Sequence, residues 1–339
     1  MQTALQNIRD FLNHRTPRLL SVPHYPEYRQ CPDSRRMIDL ACDIIARDQA
    51  LPASENVLPS FYPDYGTVSM PAVFGGEVFC APGTNRVYIK PVARAVGDVL
   101  KLAPKSFEET DYQRALDMFR AVRSRLATDD VYLRMPDLQG PVSTLAMLFE
   151  DQAEMMVAMI EQPEAVHEAL RRVTDVMIAI VSRFRAEAGP EKVIGPIWPH
   201  ISLPDGKGIG ITQDYMPLLG PDLYKEFELP CLKRISDAFG GVFIHCCGGC
   251  AWHFDNLATS GVEVIGFECC NDHAPMEELF AAFGRRIAIN SFGNRHHRSL
   301  ADYLRSFKGT PMAAARFWFT PCQGSEGLDD LRRAMDELA

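Results

Sequence analysis

The sequence predicts an α/β protein built as a single (β/α)8 barrel, and three observations lead to that prediction. From about residue 107 onward, short apolar segments alternate with helical patterns, as in a parallel sheet whose strands are connected by helices. The chain has 339 residues, which suits one barrel of about 250 residues with insertions. No predicted strand is followed by a GxGxxG or P-loop motif, which disfavours a nucleotide-binding sheet.

The N-terminal third gives few regular signals. Residues 51–88 are rich in Pro, Gly, Tyr and Phe, which predicts turns and short strands over a core rather than a linker. Core packing is the simplest role for Tyr62, Tyr65 and Phe74, and a pocket wall is the alternative. We expect residues 1–339 to form one domain, with about 1–90 as an N-terminal elaboration of the barrel.

The regular pattern begins with a helix over residues 107–126 and a buried strand over 131–135, which ends at a proline. Another helix is predicted over 144–160. The next begins at Pro163, a residue suited to the first helical turn, and ends at Gly189-Pro190. Apolar residues recur along this last helix at spacings of three and four, which predicts one buried face.

Strand and helix patterns then alternate to the C-terminus. Strands are predicted over residues 193–198, 241–245, 262–267, 286–291 and 315–320. Helices are predicted over residues 221–239, 252–259, 276–283, 300–307 and 328–338.

The composition is ordinary for a globular protein, with an acidic surplus. Hydrophobic residues make up 47% and charged residues 23%. The 44 Asp and Glu against 35 Lys and Arg disfavour nucleic acid or an anionic membrane surface as partners. No apolar run approaches the roughly 20 residues that cross a bilayer, and residues 1–18 lack a signal-peptide core. We therefore expect a soluble cytoplasmic protein.

Cysteine is the unusual component of this chain. There are ten cysteines, and five of them lie between Cys246 and Cys270. Without a secretion signal, such a cluster is typical of metal ligands, reactive thiols or small buried hydrophobes rather than disulfides. Composition does not choose among these three.

The fold prediction places this cluster at a site. In a (β/α)8 barrel, the residues that follow the strands' C-terminal ends converge on one face, where active sites lie. The residues at these positions are Asp137, Gln139, His200, His245, Cys246, Cys247, Glu268, Cys269, Cys270, Ser291, Asn294, Cys322 and Gln323.

The strongest candidate set within this group is a metal site formed by His245, Cys247 and Cys322. Imidazole and thiolate are donors that zinc prefers, and residues i and i+2 of an extended segment point to the same side. Three protein ligands leave one position open, which is the catalytic rather than the structural pattern. Glu268, at an intervening strand end, is the candidate for that position.

Other interpretations of the same residues stay open. Cys246 and Cys247 also suit packing at the barrel mouth, and His245 also suits a core position. A four-cysteine structural site and a Cys247-x-x-Cys250 redox pair are further alternatives, although no second CxxC motif faces this one.

Two further polar residues are candidates for contact with substrate. Asp137 suits substrate orientation or support of a metal ligand, and the alternatives are an N-cap of the helix over 144–160 or a loop carboxylate without a role at the site. His200 suits substrate contact, with a solvated loop histidine as the alternative. The basic segment RHHR at 295–298 suits an acidic substrate group or, more simply, the C-terminus of a helix.

Residues 243–294, FIHCCGGCAWHFDNLATSGVEVIGFECCNDHAPMEELFAAFGRRIAINSFGN, contain a strand ending in His-x-Cys-Gly, a Gly-Val-Glu strand and a strand leading to Gly-Asn. In these features the chain resembles the uroporphyrinogen decarboxylase superfamily. Residues 137–149, 162–179 and 216–235 resemble its Gly-Pro, Pro-Glu and preceding helical segments. The resemblance extends over about residues 60–339 and implies the barrel fold.

The branch of the superfamily decides what the resemblance implies about function. Decarboxylases of this family are metal-free and carry an N-terminal Arg-Gln-Ala-Gly-Arg motif, which residues 24–37, HYPEYRQCPDSRRM, do not match. The corrinoid-linked methyltransferases hold zinc with His-x-Cys and a distant C-terminal Cys, a set that matches His245, Cys247 and Cys322. The resemblance therefore implies zinc at these residues.

It also implies methyl transfer between a corrinoid and a small-molecule thiol or another methyl donor or acceptor. Because no corrinoid-binding module is evident in the sequence, the corrinoid is expected on a separate protein. The direction of transfer and the oligomeric state stay open. A metal-free decarboxylase or lyase, and a non-catalytic corrinoid- or metal-binding accessory protein, are the alternative functions.

Overall fold

A computed structural model describes residues 2–24, 34–81, 86–196, 201–292, 299–321, 323 and 325–338. The strands are β1 Arg18–Leu20, β2 Ser60–Phe61, β3 Glu77–Cys80, β4 Val87–Lys90, β5 Tyr132–Met135, β6 Val193–Pro196, β7 Ile209–Thr212, β8 Val242–Cys246, β9 Val264–Cys270, β10 Ala288–Phe292 and β11 Arg316–Phe319.

The helices surround these strands. They are α1 Gln2–Leu12, α2 Ser34–Gln49, α3 Ser69–Val73, α4 Val96–Val99, α5 Asp111–Leu126, α6 Pro141–Ala146, α7 Gln152–Glu161, α8 Pro163–Ala188, α9 Pro221–Leu223, α10 Leu229–Phe239, α11 Phe254–Thr259, α12 Met276–Phe283, α13 Leu300–Ser306 and α14 Leu328–Glu337. A π-helical turn, Tyr224–Glu228, connects α9 to α10.

The strands other than β3 and β4 form two parallel sheets. One sheet has the order β1-β11-β10-β9-β8-β7, and a second has the order β2-β5-β6. Strand β1 pairs in parallel with β11, so the first strand lies beside the last, as closure of a barrel requires. A parallel bridge between Gln139 and Thr212 joins the two sheets just beyond β5 and at the end of β7. The predicted (β/α)8 barrel is confirmed.

Two of the barrel strands lie in the N-terminal region that we expected to be an elaboration. Strand β1 belongs to the six-stranded sheet, and β2 pairs in parallel with β5. The same region adds an antiparallel hairpin of β3 and β4. Tyr62, Tyr65 and Phe74 are buried, as expected for core residues, whereas Phe79 and Tyr88 of the hairpin are exposed.

The inside of the barrel has its own apolar core, which helix α1 covers. Ile8 and Phe11 of α1 pack with Phe243 and Trp318, which point inward from β8 and β11. The rings of Phe11 and Trp318 meet edge to face with centroids 5.5 Å apart. The Arg316 guanidinium lies over the Phe11 ring, 4.6 Å from its centroid. Since Arg316 begins β11, helix α1 covers the N-terminal end of the barrel, opposite the predicted site.

The outer layer packs as the apolar periodicity predicts. In α8, Val166, Leu170, Val173 and Met177 are buried in the hydrophobic core. The helix ends at Gly189, whose φ of +86° favours glycine. Within the described ranges, none of the helices combines the length and apolar character needed to cross a bilayer.

The predicted and observed elements differ in several places. The helix expected over 144–160 is divided into α6 and α7, because Phe149 between them forms a bridge with Ala93. Strand β9 extends to Cys270, so Glu268 lies within the strand rather than after it. Strand β7 was missed, because it has only four residues and is flanked and interrupted by Gly208 and Gly210, which weaken a strand pattern.

Replacement of Phe11 by alanine tests the role of the inner core. Because Phe11 is fully buried, Phe11→Ala is expected to lower the free energy of unfolding by about 3–5 kcal/mol in denaturant titrations. The matched control is Phe79→Ala on the hairpin, where the side chain is 47% exposed and the change is expected to stay within about 1 kcal/mol. Equal losses in the two variants would contradict this account.

Candidate metal centre

Four neighbouring strands place one polar residue each in the same row of the sheet. The register pairs Thr212 of β7 with His245 of β8, His245 with Glu268 of β9, and Glu268 with Asn290 of β10. Because partners in a parallel sheet point to the same side, these four side chains converge at the inner, C-terminal end of the barrel. This row is the framework of the site.

His245 is the centre of the row, and both of its ring nitrogens have partners. Nε2 lies 3.0 Å from the Cys247 Sγ, and Nδ1 is hydrogen-bonded to the Glu268 carboxylate. The side chain is only 4% exposed. Burial acts to lower the pKa of His245, but the Glu268 charge and the Cys247 hydrogen bond outweigh it and raise the pKa well above its usual value.

Glu268 is itself held in place. Asn290 donates a hydrogen bond from Nδ2 to the Glu268 Oε1 at 2.7 Å, and the same Nδ2 lies 3.3 Å from the Thr320 Oγ1. A carboxylate on the far nitrogen of a histidine is the usual support of a metal-ligating imidazole. Glu268 therefore does not lie at the position expected for a fourth ligand. It contacts Nδ1, and the imidazole ring separates its carboxylate from Cys247, which contacts Nε2.

The residue that approaches His245 and Cys247 is Asp214. Their ligand atoms all lie within 4.8 Å of one another. Asp214 and Cys247 are exposed at the mouth, while His245 is buried below them. Partial desolvation raises the pKa of Asp214, although the His245 charge and a hydrogen bond from Gln139 oppose this shift. Sequence reasoning missed Asp214 because it follows the missed strand β7.

Asp137 lies beside this group and is fully buried. Gln139 donates a hydrogen bond from Nε2 to the Asp137 Oδ1 at 2.8 Å, and the Thr212 hydroxyl donates to Oδ2 at 3.2 Å. Burial raises the pKa of Asp137 to about 7, and the nearby Asp214 adds to this shift. The N-cap of α6 is Gly140, so the helix-capping alternative for Asp137 is wrong.

Three other cysteines of the cluster lie in the core rather than at the mouth, whereas Cys270 lies two residues beyond Glu268 on the same side of β9. Cys246, Cys250 and Cys269 are fully buried and belong to the hydrophobic core between sheet and helices. The thiol of Cys250 interacts with the thiol of Cys246. The four-cysteine site and the Cys247-x-x-Cys250 redox pair therefore find no support in the described residues.

Several predicted site residues lie outside the described residues. These are Cys322, His200, Asn294 and the segment 295–298. The chain next to Cys322 is nevertheless placed at the site: Thr320 contacts Asn290, which binds Glu268. On the other side of Cys322, the backbone N–H of Gln323 donates to the Pro23 carbonyl at 2.9 Å.

The donor set fits zinc. Imidazole nitrogen, thiolate sulfur and carboxylate oxygen are the three ligand types that zinc takes in proteins. His245, Cys247 and Asp214 supply one of each, with ligand atoms that lie within 4.8 Å of one another. Glu268 then fixes the ring that presents Nε2 to such an ion.

Comparison with known proteins establishes the family. The family model of uroporphyrinogen decarboxylase (URO-D) matches residues 64–290, which is more than half of the chain. The chain belongs to the uroporphyrinogen decarboxylase family. The resemblance inferred from the sequence is thereby confirmed.

Relatives within the family are distant. A uroporphyrinogen decarboxylase from Xanthomonas axonopodis pv. citri is 24% identical over 244 residues, which cover 68% of this chain and 61% of that protein. Another from Xanthomonas campestris pv. campestris is 23% identical over 288 residues, which cover 80% of this chain and 72% of that protein. In the first comparison the match therefore spans less than two thirds of the relative's length.

A solved structure shares the whole fold. A methyltransferase from Methanosarcina mazei superposes with a TM-score of 0.70, covering 99% of this chain and 98% of that one. The sequences are only 14% identical, so this likeness shows the fold.

The buried Asp137 predicts a pH dependence of stability. Because its pKa is raised from 3.8 to about 7, the folded state holds a proton that the unfolded state has already lost between those values. The free energy of unfolding therefore falls as the pH rises from about 4 to about 7, by roughly 4 kcal/mol at most. Above pH 7, Asp137 causes no further loss. Asp137→Asn, which stays neutral, is expected to gain stability relative to wild type over this window in urea titrations.

The matched control for this measurement is Asp43→Asn on the exposed side of α2. Its stability relative to wild type is expected to change little between pH 4 and pH 7. If the free energies of unfolding of Asp137→Asn and wild type differ by the same amount at every pH in this window, the folded state does not hold a proton at Asp137.

Proposed function

We propose that this protein is a zinc-dependent methyltransferase. In this proposal it transfers a methyl group between a corrinoid, carried by a separate protein, and a small-molecule thiol or another methyl donor or acceptor. The observation that carries the proposal is the convergence of Asp214, His245 and Cys247 at the C-terminal end of the barrel. The methyltransferase with the same fold supports it.

The zinc ligands in this proposal are His245, Cys247 and Cys322, and Asp214 would occupy the fourth position until a substrate thiol takes its place. Bound zinc would lower the pKa of a substrate thiol, so that the thiol enters as a thiolate at neutral pH. Asp214 and Cys247 lie on the exposed side, where a substrate arrives. His245, buried and bound to Glu268, provides the fixed side of the site.

In this proposal, a carboxyl group of the chain accepts the proton of the substrate thiol. When a thiol substrate becomes a thiolate, its proton must pass to a base. Asp137, with a pKa near 7 and a position beside Asp214, is the buried group best matched to accept that proton at neutral pH. A methylated corrinoid would supply the methyl group and would retain the electron pair of its Co–C bond, so that the substrate thiolate would take up the methyl group without an oxidant or reductant.

Large apolar side chains at the mouth offer a surface for the corrinoid. Leu218 is 58% exposed and Trp252 is 52% exposed, on two loops that pack together through Pro217 and Gly248. Phe292, also partly exposed, lies parallel to the His245 ring with centroids 6.0 Å apart. A flat apolar macrocycle suits such a surface better than a charged partner does.

A metal-free decarboxylase is the second candidate, favoured by the family's name and by the Xanthomonas relatives. That activity acts on carboxylated substrates and calls for cationic side chains. The described charged groups that act on His245 and its neighbours are instead carboxylates: Asp137, Asp214 and Glu268. These would repel a carboxylated substrate, which is why we favour the zinc enzyme.

Elemental analysis and a transfer assay test the proposal together. The purified protein is expected to hold about one zinc per chain. Cys322→Ala and Cys247→Ala are expected to lose zinc and the demethylation of methylcobalamin by thiols, whereas Cys80→Ser on the exposed hairpin keeps both. Zinc-free wild type, or full zinc in Cys322→Ala, would refute the proposal. Chelator-insensitive release of CO2 from a carboxylated substrate would establish the decarboxylase instead.

A further inference from the structure

Glu228 is a carboxyl group buried one layer behind the metal centre. Its side chain is only 4% exposed, and both oxygens accept hydrogen bonds. The backbone N–H of Val142 donates to Oε2 at 2.9 Å, and the Gln213 Nε2 donates to Oε1 at 2.8 Å. Burial raises the pKa of Glu228 to about 7, which shows that this position costs free energy.

The π-helical turn before α10 aims two side chains at Gln213. Tyr224 is the first residue of that turn and Glu228 is the last. The Tyr224 hydroxyl donates to the Gln213 Oε1 at 2.9 Å, while Glu228 accepts from the other end of the same amide. The amide of Gln213 is therefore fixed at both ends. Turns of this kind occur frequently at functional sites.

Gln213 transmits this constraint to the metal centre. Its backbone N–H donates to the His245 carbonyl at 2.7 Å, and the next residue is Asp214. Gln213 thus fixes the distance between the end of β8, which carries His245, and the loop after β7, which carries Asp214.

Glu228 also fixes the segment that carries Asp137 and Gln139. That segment leads through Gly140 into α6, where Glu228 accepts from Val142 in the first turn. A Cβ on Gly140 would lie 2.9 Å from the Glu228 Oε1, so only glycine fits here without movement of the carboxyl group. The close approach shows that the two segments are packed around Glu228.

We propose that Glu228 is a positioning residue of the metal centre. By holding Gln213 between Tyr224 and the His245 backbone, it sets the distance between Asp214 and His245 that a metal ion requires. The inference rests on the proposed function, because it assigns Asp214 and His245 to one metal site.

The test is the affinity of the site for Co²⁺ and the visible spectrum of the cobalt protein. Glu228→Met keeps the shape of the side chain and removes both acceptors. It is expected to weaken Co²⁺ binding roughly tenfold or more and to shift the absorption bands, because supports of metal ligands have effects of this size. Tyr224→Phe, which removes a single hydrogen bond, is expected to shift the bands in the same direction by less.

A conservative variant and a stability control separate positioning from loss of stability. In Glu228→Gln, the Gln213 amide can rotate to accept a hydrogen bond from the introduced amide and to donate one to the Tyr224 hydroxyl, so near-wild-type affinity is expected. Phe11→Ala, destabilised at the opposite end of the barrel, is expected to keep the wild-type spectrum.

Each result has a distinct meaning. Wild-type affinity and spectrum in Glu228→Met would overturn the positioning role while leaving the metal site intact. If Glu228→Met does not fold, an unchanged spectrum in Tyr224→Phe would overturn it instead. A spectral shift in Phe11→Ala equal to that of Glu228→Met would also overturn it. Wild-type protein that binds neither Co²⁺ nor zinc would refute the proposed function itself.

Discussion

The orientation of the His245 ring is the constraint on which the candidate site depends. The ring is buried, and its two nitrogens face opposite partners, the Glu268 carboxylate and the Cys247 thiol. Glu268 is fixed in turn by Asn290 on the next strand, so the orientation is set by the parallel sheet and not by a loop. This arrangement leaves Nε2 as the nitrogen that a divalent cation on the Cys247 side would bind, because a carboxylate on the far nitrogen is the usual support of a metal-ligating imidazole.

The sequence predicts the parts of this site that lie on long or strongly apolar strands. The segments before His245 and Glu268 are continuous apolar runs. The sequence therefore predicts both strands and the polar residues that follow these runs. Asp214 was not predicted, because the four residues of β7 include a glycine and follow another. The contact between Glu228 and Gln213 was beyond sequence reasoning, because it depends on a π-helical turn that no hydrophobic periodicity reveals.

Membership of the uroporphyrinogen decarboxylase family leaves the chemistry to the residues at the mouth. The barrel and its register are a frame on which a decarboxylase or a methyltransferase can be built. In this chain, the described groups around His245 are acidic, and a thiol faces the solvent beside them. Such a set attracts a cation and repels a carboxylate, so the same frame here suits a metal-bound substrate thiol.

Anomalous diffraction at the zinc absorption edge is the most direct test of this account. Crystals of the purified protein are expected to show one strong anomalous peak at the C-terminal end of the barrel. Its expected neighbours are the His245 Nε2, the Cys247 and Cys322 sulfurs, and the Asp214 carboxylate, at about 2.0–2.3 Å. Contradiction would come from no peak at this position in zinc-supplemented crystals, or from a peak whose ligands exclude His245 and Cys247.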